Sequence, residues 1–259
     1  LTPDLDLDVA DCVSLDVFDT VLERDCGRPE AVFEILGILG SEDVGMYPHS
    51  VSRARQNAES EARHRSGEQE VTLDLIYDIL RGDLVLTSEQ ADKLKSLELD
   101  LERRVCRAKP EGLAVYKAAL ALDKRIAFLT DTYLPRAFVD ELLRDHGFRH
   151  FELLQVSSDS GATKHYGHAF QALLNDLKLS GPAVVHVGDN IHSDREMAEQ
   201  CDLKALLLGR RRLSPRNEIA GAVVKSEKMT FTLPWFALCE GKAAARIADG
   251  RWLRRVFRI

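Results

Sequence analysis

Ser14-Leu15-Asp16-Val17-Phe18-Asp19-Thr20 is the stretch from which the organisation of this chain can be predicted. Residues 11–17 form a short apolar run that is partly β-branched and is followed by polar turn residues, which is typical of a buried β-strand. Asp16 closes this run, and Asp19 and Thr20 begin the loop that follows. We therefore expect a buried strand with carboxylates at its carboxyl end.

After Pro110 the sequence alternates between helical and strand patterns. Single helices between successive strands predict right-handed crossovers, a parallel sheet and helices on both of its faces. The predicted fold class is therefore α/β, a doubly wound, Rossmann-like parallel sheet with an all-helical insertion. Further strands are predicted over 125–129, 152–157, 183–187 and 203–208, and helices over 111–121, 135–146, 167–177 and 194–200.

Three parts of the chain differ in pattern. Residues 28–110 have helical periodicity and capping signals, at Thr72 and at Thr87-Ser88-Glu89-Gln90, which predict an insert of about four helices. The predicted α/β core consists of residues 1–27 and 111–210. Residues 211–259 are predicted as a basic helical extension, because the chain from Gly209 to Ile259 holds twelve basic and four acidic residues.

The extension has two interpretations. A solvated helical appendage that packs on the core is favoured, since runs of charge are usually solvated faces. The alternative is a docking surface for a neighbouring domain or an anionic partner, which includes fusion to another domain. Because the first residue is Leu1, one interpretation of the whole sequence is a segment cut from a longer polypeptide.

Composition limits the classes of function. The net charge of −7 argues against a nucleic-acid binder, because such binding relies on basic residues that neutralise phosphates. The five cysteines form no C-x-x-C pair, so we expect neither a zinc site nor a disulfide framework, and a reducing compartment follows. No apolar run reaches membrane-spanning length, and no secretory signal opens the chain. We expect a cytoplasmic protein without a transmembrane segment.

Polar side chains follow four of the predicted strands. In open parallel sheets ligands bind beyond the carboxyl ends of the strands, so these side chains are expected to converge on one edge. They are Asp16 with Asp19-Thr20, Thr130-Asp131, Ser157-Ser158 with Lys164 further on, and Gly188-Asp189-Asn190 with Asp194 further on.

These residues have the chemistry of a metal site that handles phosphate. Asp16 and Asp189 together would supply two hard oxygen ligands, which suit Mg²⁺, and Asp194 would add a ligand or hold one in place. Lys164 is a compact cation for a phosphate, and Thr130 offers a hydroxyl and backbone N–H groups before a helix. The predicted reaction is attack by the Asp16 carboxylate, followed by hydrolysis of an aspartyl-phosphate.

This order of motifs resembles the haloacid dehalogenase superfamily of hydrolases across residues 11–210. The resemblance rests on Asp16-Val17-Phe18-Asp19-Thr20, on Thr130-Asp131, on Lys164, and on Gly188-Asp189-Asn190 with Ser193-Asp194. It implies that residues 28–110 are a cap domain that closes over the active site. The sequence is most similar to bacterial predicted hydrolases, some of them fused to or encoded near glycosyltransferases of surface-polysaccharide synthesis. The expected substrate is therefore a small soluble phosphate or a sugar-linked phosphate.

The resemblance also implies a role for each motif residue. Asp16 is implied as the nucleophile, and the implied Mg²⁺ ligands are Asp16, Asp189, Asp194 and the Phe18 carbonyl. Contacts to the phosphate of a small substrate are implied for Thr130, Asp131 and Lys164.

Position 18 departs from the family pattern. Family phosphatases carry a second aspartate there, which protonates the leaving group and later activates water, and Phe18 can do neither. Asp19, at the usual glycine position, is one substitute, and Asp131 and His192 are others. Two alternatives need no substitute acid: the aspartyl-phosphate turns over slowly, or the substrate has a good leaving group. Dehalogenases also lack this aspartate, but they do not need the acid pair Asp189 and Asp194, so we rank dehalogenation low.

Two hypotheses of different classes follow. The first is a Mg²⁺-dependent phosphatase that acts through an aspartyl-phosphate on a small, unidentified phosphate. The second, motivated by Phe18 and the basic extension, is a catalytically weak or inactive binding or scaffold domain of a larger protein of glycan synthesis. His186, inside a predicted strand, is expected to be a hydrogen-bonded core histidine.

Overall fold

A computed structural model of the chain describes Leu7, residues 9–26 and residues 29–209, together with the backbone of residues 222–225 and 230–233. The strands in this part of the chain are β1 (Cys12–Leu15), β2 (Leu22–Arg24), β3 (Cys106–Ala108), β4 (Arg125–Thr130), β5 (Leu153–Val156), β6 (Val184–Gly188), β7 (Lys204–Leu207), β8 (Ala222–Lys225) and β9 (Thr230–Leu233).

Helices connect most of these strands. They are α1 (Glu30–Val44), α2 (Pro48–Ser66), α3 (Leu73–Asp83), α4 (Ser88–Val105), α5 (Pro110–Ala121), α6 (Arg136–Asp145), α7 (Ser157–Ser160), α8 (His168–Leu177) and α9 (Met197–Gln200). A 3₁₀ turn spans Gly181–Ala183, and a π-helical turn spans Ile191–Glu196. The helical prediction for residues 28–110 is confirmed by α1 to α4, to which the structure adds the short strand β3.

The chain divides into two compact units. Unit 1 consists of Leu1–Glu23, Asn57–Ala91 and Arg107–Arg210, and unit 2 consists of Arg24–Gln56, Asp92–Cys106 and Arg211–Ile259. The assignment of residues 28–110 to a cap that closes over a core stays a prediction.

The central sheet of unit 1 has five parallel strands in the order β5-β4-β1-β6-β7. β1 pairs with β4 on one side and β6 on the other, so that Ser14 lies opposite Ala127 and His186. From β1 the chain adds β4 and β5 on one side of the sheet and then β6 and β7 on the other. The position where the direction reverses is a topological switch point, and ligands of open α/β sheets bind there. The predicted α/β, doubly wound fold class is confirmed.

The apolar faces of the strands explain why the sheet forms. Leu129 and Val184 pack with Phe170 and Leu173 of α8, and all four side chains are buried. Burying an aliphatic or aromatic side chain of this size contributes about 1.5–3 kcal/mol, so this layer holds the strand ends in register.

Local signals fix the ends of several helices. The Thr72 hydroxyl accepts a hydrogen bond from the Leu75 backbone N–H at the start of α3. Thr87 and Gln90 form the predicted capping box before α4, in which each side chain accepts from the other's backbone N–H, at 3.2 and 3.0 Å. These caps use N–H groups that the helix itself leaves unpaired.

A buried ion pair lies in unit 2. The Arg55 guanidinium donates to both carboxylate oxygens of Glu98, each at 2.7 Å, and both side chains are fully buried. Arg55 also lies 4.4 Å from the centre of the Phe33 ring, a cation–π contact. The two charges compensate each other inside the unit.

The predicted basic extension is described only in part. Its backbone at β8 and β9 forms an antiparallel pair, so the helical prediction is wrong for these eight residues; their extended pairing is set by partners that a local helical pattern does not report. The rest of 211–259 lies outside the described residues. Among the described helices none is long and apolar enough to cross a membrane. None of the described cysteines, Cys12, Cys26, Cys106 and Cys201, forms a disulfide.

Candidate active site

Asp16 lies at the switch point of the sheet. It directly follows β1, and its backbone N–H donates to the Val187 carbonyl of β6 at 2.9 Å. Thr130 ends β4, two residues beyond the partner of Leu15, and is buried at the same edge. Three adjacent strands therefore bring the first, second and fourth motifs to one edge, as predicted.

Lys164 reaches this edge from the loop after α7. Its ammonium lies 2.5 Å from Asp16 Oδ1 and 2.6 Å from Asp194 Oδ1, and the side chain is 3 % exposed. The carboxylate of Asp131 accepts the backbone N–H groups of Lys164 and His165 at 2.9 to 3.1 Å. Asp131 thus fixes the loop that presents Lys164, and its predicted contact with substrate stays a prediction.

Asp194 is held by four donors. Oδ1 accepts from Lys164 and lies 3.3 Å from His186 Nε2, and Oδ2 accepts from the backbone N–H groups of Asp189 and Asn190 at 3.0 and 2.9 Å. The π-helical turn at Ile191–Glu196 carries this carboxylate back to the end of β6. Gly188 permits the approach, because a Cβ there would lie 2.2 Å from Asp194 Cγ.

His186 continues this network into the core. Its Nδ1 lies 2.9 Å from Ser14 Oγ, and its Nε2 faces the Asp194 carboxylate. A carboxylate can only accept, so Nε2 carries the proton and Nδ1 accepts from the Ser14 hydroxyl. Burial lowers the pKa of His186 and keeps the ring neutral. The prediction of a hydrogen-bonded core histidine is confirmed.

The loop after Asp16 brings a hydroxyl to the Asp16 carboxylate. Thr20 Oγ1 donates to Asp16 Oδ2 at 2.8 Å and lies 3.5 Å from Asp189 Oδ1. Asp19 has a left-handed backbone with φ of 63° and its N–H donates to the Leu22 carbonyl at 2.6 Å, while Phe18 is half-buried and pairs with Leu22 in a short bridge. Glycine is the residue that adopts this conformation most readily, which explains why a glycine is usual at position 19.

Burial and charge shift the pKa of each buried ionisable group at the site. Burial raises the pKa of Asp16 to about 7, and the carboxylate of Asp194 adds to this rise while Lys164 opposes it. Burial would lower the pKa of Lys164, but Asp16 and Asp194 raise it above its usual range. Burial would raise the pKa of Asp194, but Lys164 and His186 hold it well below its usual range.

Three carboxylates meet at this edge. One oxygen each from Asp16, Asp189 and Asp194 lies within 4.8 Å of the others. Only the Lys164 ammonium stands against them in the contacts above, since His186 is neutral. A dense set of hard oxygen donors with excess negative charge fits a divalent cation such as Mg²⁺.

Comparison with protein families places this site in a known context. The model of the haloacid dehalogenase-like hydrolases matches residues 10–202, which carry all the residues described above. The chain belongs to the haloacid dehalogenase-like hydrolases. No curated protein sequence matches it.

Solved structures of this family have a similar fold at low sequence identity. A 2-haloacid dehalogenase from Pseudomonas syringae pv. Tomato DC3000 is 17% identical, with a TM-score of 0.57 over 94% of this chain and 99% of that one. A phosphatase of the family from Thermococcus onnurineus is 15% identical, with a TM-score of 0.57 over 80% of this chain and 89% of that one. At such identities the likeness supports the shared fold and does not choose between the two reactions.

The outermost predicted residues do not join the cluster by any described contact. His192 is half-exposed, with Nδ1 3.0 Å from Glu196 and Nε2 3.2 Å from the His165 carbonyl. Asp19 meets the site through its backbone. No role was predicted for Thr20, although it belongs to the first motif. Its position four residues after Asp16 could have indicated that its hydroxyl reaches the Asp16 carboxylate.

Proposed function

We propose that this chain is a Mg²⁺-dependent phosphohydrolase that acts through an aspartyl-phosphate on a small phosphomonoester, with a sugar-linked phosphate as the first class to test. The observation that carries the proposal is the setting of Asp16: a buried carboxylate at a sheet switch point, 2.5 Å from an ammonium and next to two further carboxylates. A carboxylate nucleophile needs such positive charge when an anionic phosphate approaches.

The hydrogen bonds at this edge reduce the number of side chains that are available to bind Mg²⁺ directly. Asp16 and Asp189 supply carboxylate oxygens, and the Phe18 carbonyl is the third ligand implied by the family resemblance. Asp194 already accepts four hydrogen bonds, so we propose that it holds Lys164 and the loop of Asp189 in place instead of binding the ion directly. When bound, Mg²⁺ would neutralise charge on the carboxylates and on the substrate phosphate.

The side chains divide the reaction between them. Asp16 forms the new bond to phosphorus while the ester oxygen leaves, and Lys164 and Thr130 stabilise the oxygens of the phosphoryl group. Water then attacks the aspartyl-phosphate and releases inorganic phosphate. Asp19 is the proposed proton donor and acceptor, because it is half-exposed beside the nucleophile and no hydrogen bond to its carboxylate occurs within residues 9–26 and 29–209.

Phosphate release is the direct test. Wild type and Asp16→Asn are compared on p-nitrophenyl phosphate and on a panel of metabolite phosphates that includes sugar phosphates, with Mg²⁺ and with EDTA. We expect release only from wild type with Mg²⁺, and acid-quenched wild type should carry the mass of one phosphoryl group on the peptide that contains Asp16. Equal inertness of both folded proteins across the panel would reject the proposal.

A dehalogenase is the competing activity, since haloacid dehalogenases share this fold. The acidic cluster favours phosphate chemistry, because a metal site has no use in displacing a halide by a carboxylate. YfnB from Bacillus subtilis, another structure of this fold with a TM-score of 0.55, is bound to magnesium. Halide release from 2-chloropropionate without Mg²⁺ would favour the dehalogenase, and binding of Mg²⁺ without any turnover would favour the scaffold domain.

A further inference from the structure

Lys109 is a buried cation away from the acidic cluster. It lies at the N-terminal cap of α5 and is 3 % exposed. Its ammonium donates to the Asp19 carbonyl at 2.6 Å and to the Gly209 carbonyl at 3.0 Å. Both of these acceptors are neutral backbone groups, so the desolvation of this charge is not offset by a carboxylate in these contacts.

The same end of α5 supports the rest of the loop after Asp16. The Lys109 backbone N–H donates to the Val21 carbonyl at 2.8 Å. Gly112 lies against the loop, because a Cβ there would be 2.2 Å from the Thr20 carbonyl oxygen. The segment Asp19–Leu22 therefore rests directly on the first turn of α5.

This segment determines where the Thr20 hydroxyl lies. Asp19 has a left-handed backbone that an L-residue with a side chain adopts only when its surroundings hold it there. The short, charge-assisted bond from Lys109 to the Asp19 carbonyl is one such restraint. Thr20, the next residue, then reaches Asp16 Oδ2.

Gly209 gives the contact a second consequence. It is the last described residue before residues 210–221, at the point where the chain leaves the parallel sheet after β7. The neighbouring Leu208 N–H donates to the Gly188 carbonyl at 2.7 Å, so this exit is also tied to the strand that precedes Asp189. One ammonium thus joins the nucleophile loop to the backbone that directly follows β7.

We propose that Lys109 is a positioning residue that holds the nucleophile loop in its active conformation and couples it to the exit of the chain at Gly209. For its effect on turnover this inference rests on the proposed phosphohydrolase function. Replacing the ammonium by a methyl thioether leaves both carbonyls without their donor, and the loop then loses the restraint on Asp19.

The test compares Lys109→Met and the milder Lys109→Gln, whose amide can still donate to one carbonyl, with wild type in the full chain. Thr87→Ala is the matched control, because it removes a helix cap that contacts none of these residues. We expect kcat to fall about 10- to 100-fold in Lys109→Met, less in Lys109→Gln, with KM within about two-fold of wild type. Hydrogen exchange should accelerate at Asp19–Leu22 and at Leu208–Gly209 while β4 and β6 stay protected.

Three results would overturn the inference. They are unchanged kcat and exchange in both Lys109 variants, a rise in exchange that spreads over the whole sheet, or the same local rise in Thr87→Ala. If wild type itself has no phosphatase activity, the proposed function fails, and the exchange pattern still decides whether Lys109 couples the two segments.

Discussion

Substitution of Gly188 by alanine tests the packing of the site most directly. The added Cβ would lie 2.2 Å from Cγ and 2.4 Å from Cβ and Oδ2 of Asp194, a residue that is 1% exposed. Asp194 must move, and its Oδ2 would lose the backbone donors of Asp189 and Asn190 first. Overpacking of this kind costs about 1–3 kcal/mol. A lost hydrogen bond to a charged group adds about 1.5–3 kcal/mol.

The expected loss in the free energy of unfolding is therefore about 4 kcal/mol, or a fall in melting temperature of about 8–16 °C for a chain of this size. Thermal melts followed by circular dichroism measure it. Gly82→Ala is the matched control, because it lies within α3 and no heavy atom would lie within 4 Å of its Cβ. That variant should equal or exceed wild type in stability, by up to about 1 kcal/mol.

A double-mutant cycle separates the clash from other effects of alanine. Asp194→Gly removes all three atoms that the new Cβ would meet. Adding Gly188→Ala to Asp194→Gly should then cost little further stability. If Gly188→Ala melts within about 2 °C of wild type, or costs as much in the Asp194→Gly background, the described approach of Asp194 to Gly188 is refuted.

Three further predictions concern charge. Burial raises the pKa of Asp16 from 3.8 to about 7, so the folded protein binds this proton more tightly than the unfolded chain does. The stability of the metal-free protein therefore falls as the pH rises between these two values. Asp16→Asn should raise the melting temperature relative to wild type more at about pH 8 than at about pH 4. Mg²⁺ at about 100 times its Kd should stabilise wild type by about 2.7 kcal/mol in thermal-shift assays, and Asp189→Asn should need far more Mg²⁺ for the same shift. Arg55→Met should lower the free energy of unfolding in urea by about 3–5 kcal/mol, because it removes the guanidinium beside the buried Glu98 carboxylate of unit 2. Arg55→Met/Glu98→Leu should recover most of this loss, and equal losses in both variants would contradict this account.

The parallel sheet could be predicted because its signals are local. Each of its strands is a short apolar run bounded by turn residues, and from β4 onward each is separated from the next by a helix-length segment. The same reasoning placed Asp16, Lys164, Asp189 and Asp194 at one edge, since parallel strands place their carboxyl ends together. The predicted helix over 194–200 begins earlier, as the π-helical turn at Ile191–Glu196, because Asp194 has to reach back to two backbone N–H groups.

The supports of the site could not be predicted in this way. Lys109 meets Asp19 and Gly209 across 90 and 100 residues of sequence, and nothing in its own neighbourhood signals either contact. β2 and β3 are three residues each and exist through their mutual pairing, which local patterns do not report. Side chains that carry chemistry have a recognisable type and place, whereas those that hold backbone carbonyls are ordinary until their partners are known.

Two buried ionic clusters in this chain differ in a way that bears on function. In unit 2, the single positive charge of Arg55 is balanced by the single negative charge of Glu98, and two hydrogen bonds join them. That pair needs no ligand to balance its charge. At the end of β1, three carboxylates lie beside one ammonium; burial raises the pKa of Asp16, the carboxylates of Asp194 and Asp189 add to this rise, and Lys164 opposes it. If folding stability alone determined the residues at this edge, each buried charge would be paired or replaced by an apolar side chain, because uncompensated charge in the interior is costly. In the contacts described above, carboxylates outnumber cations at this edge, which supports our proposal that a divalent cation binds beside Asp16, the proposed nucleophile.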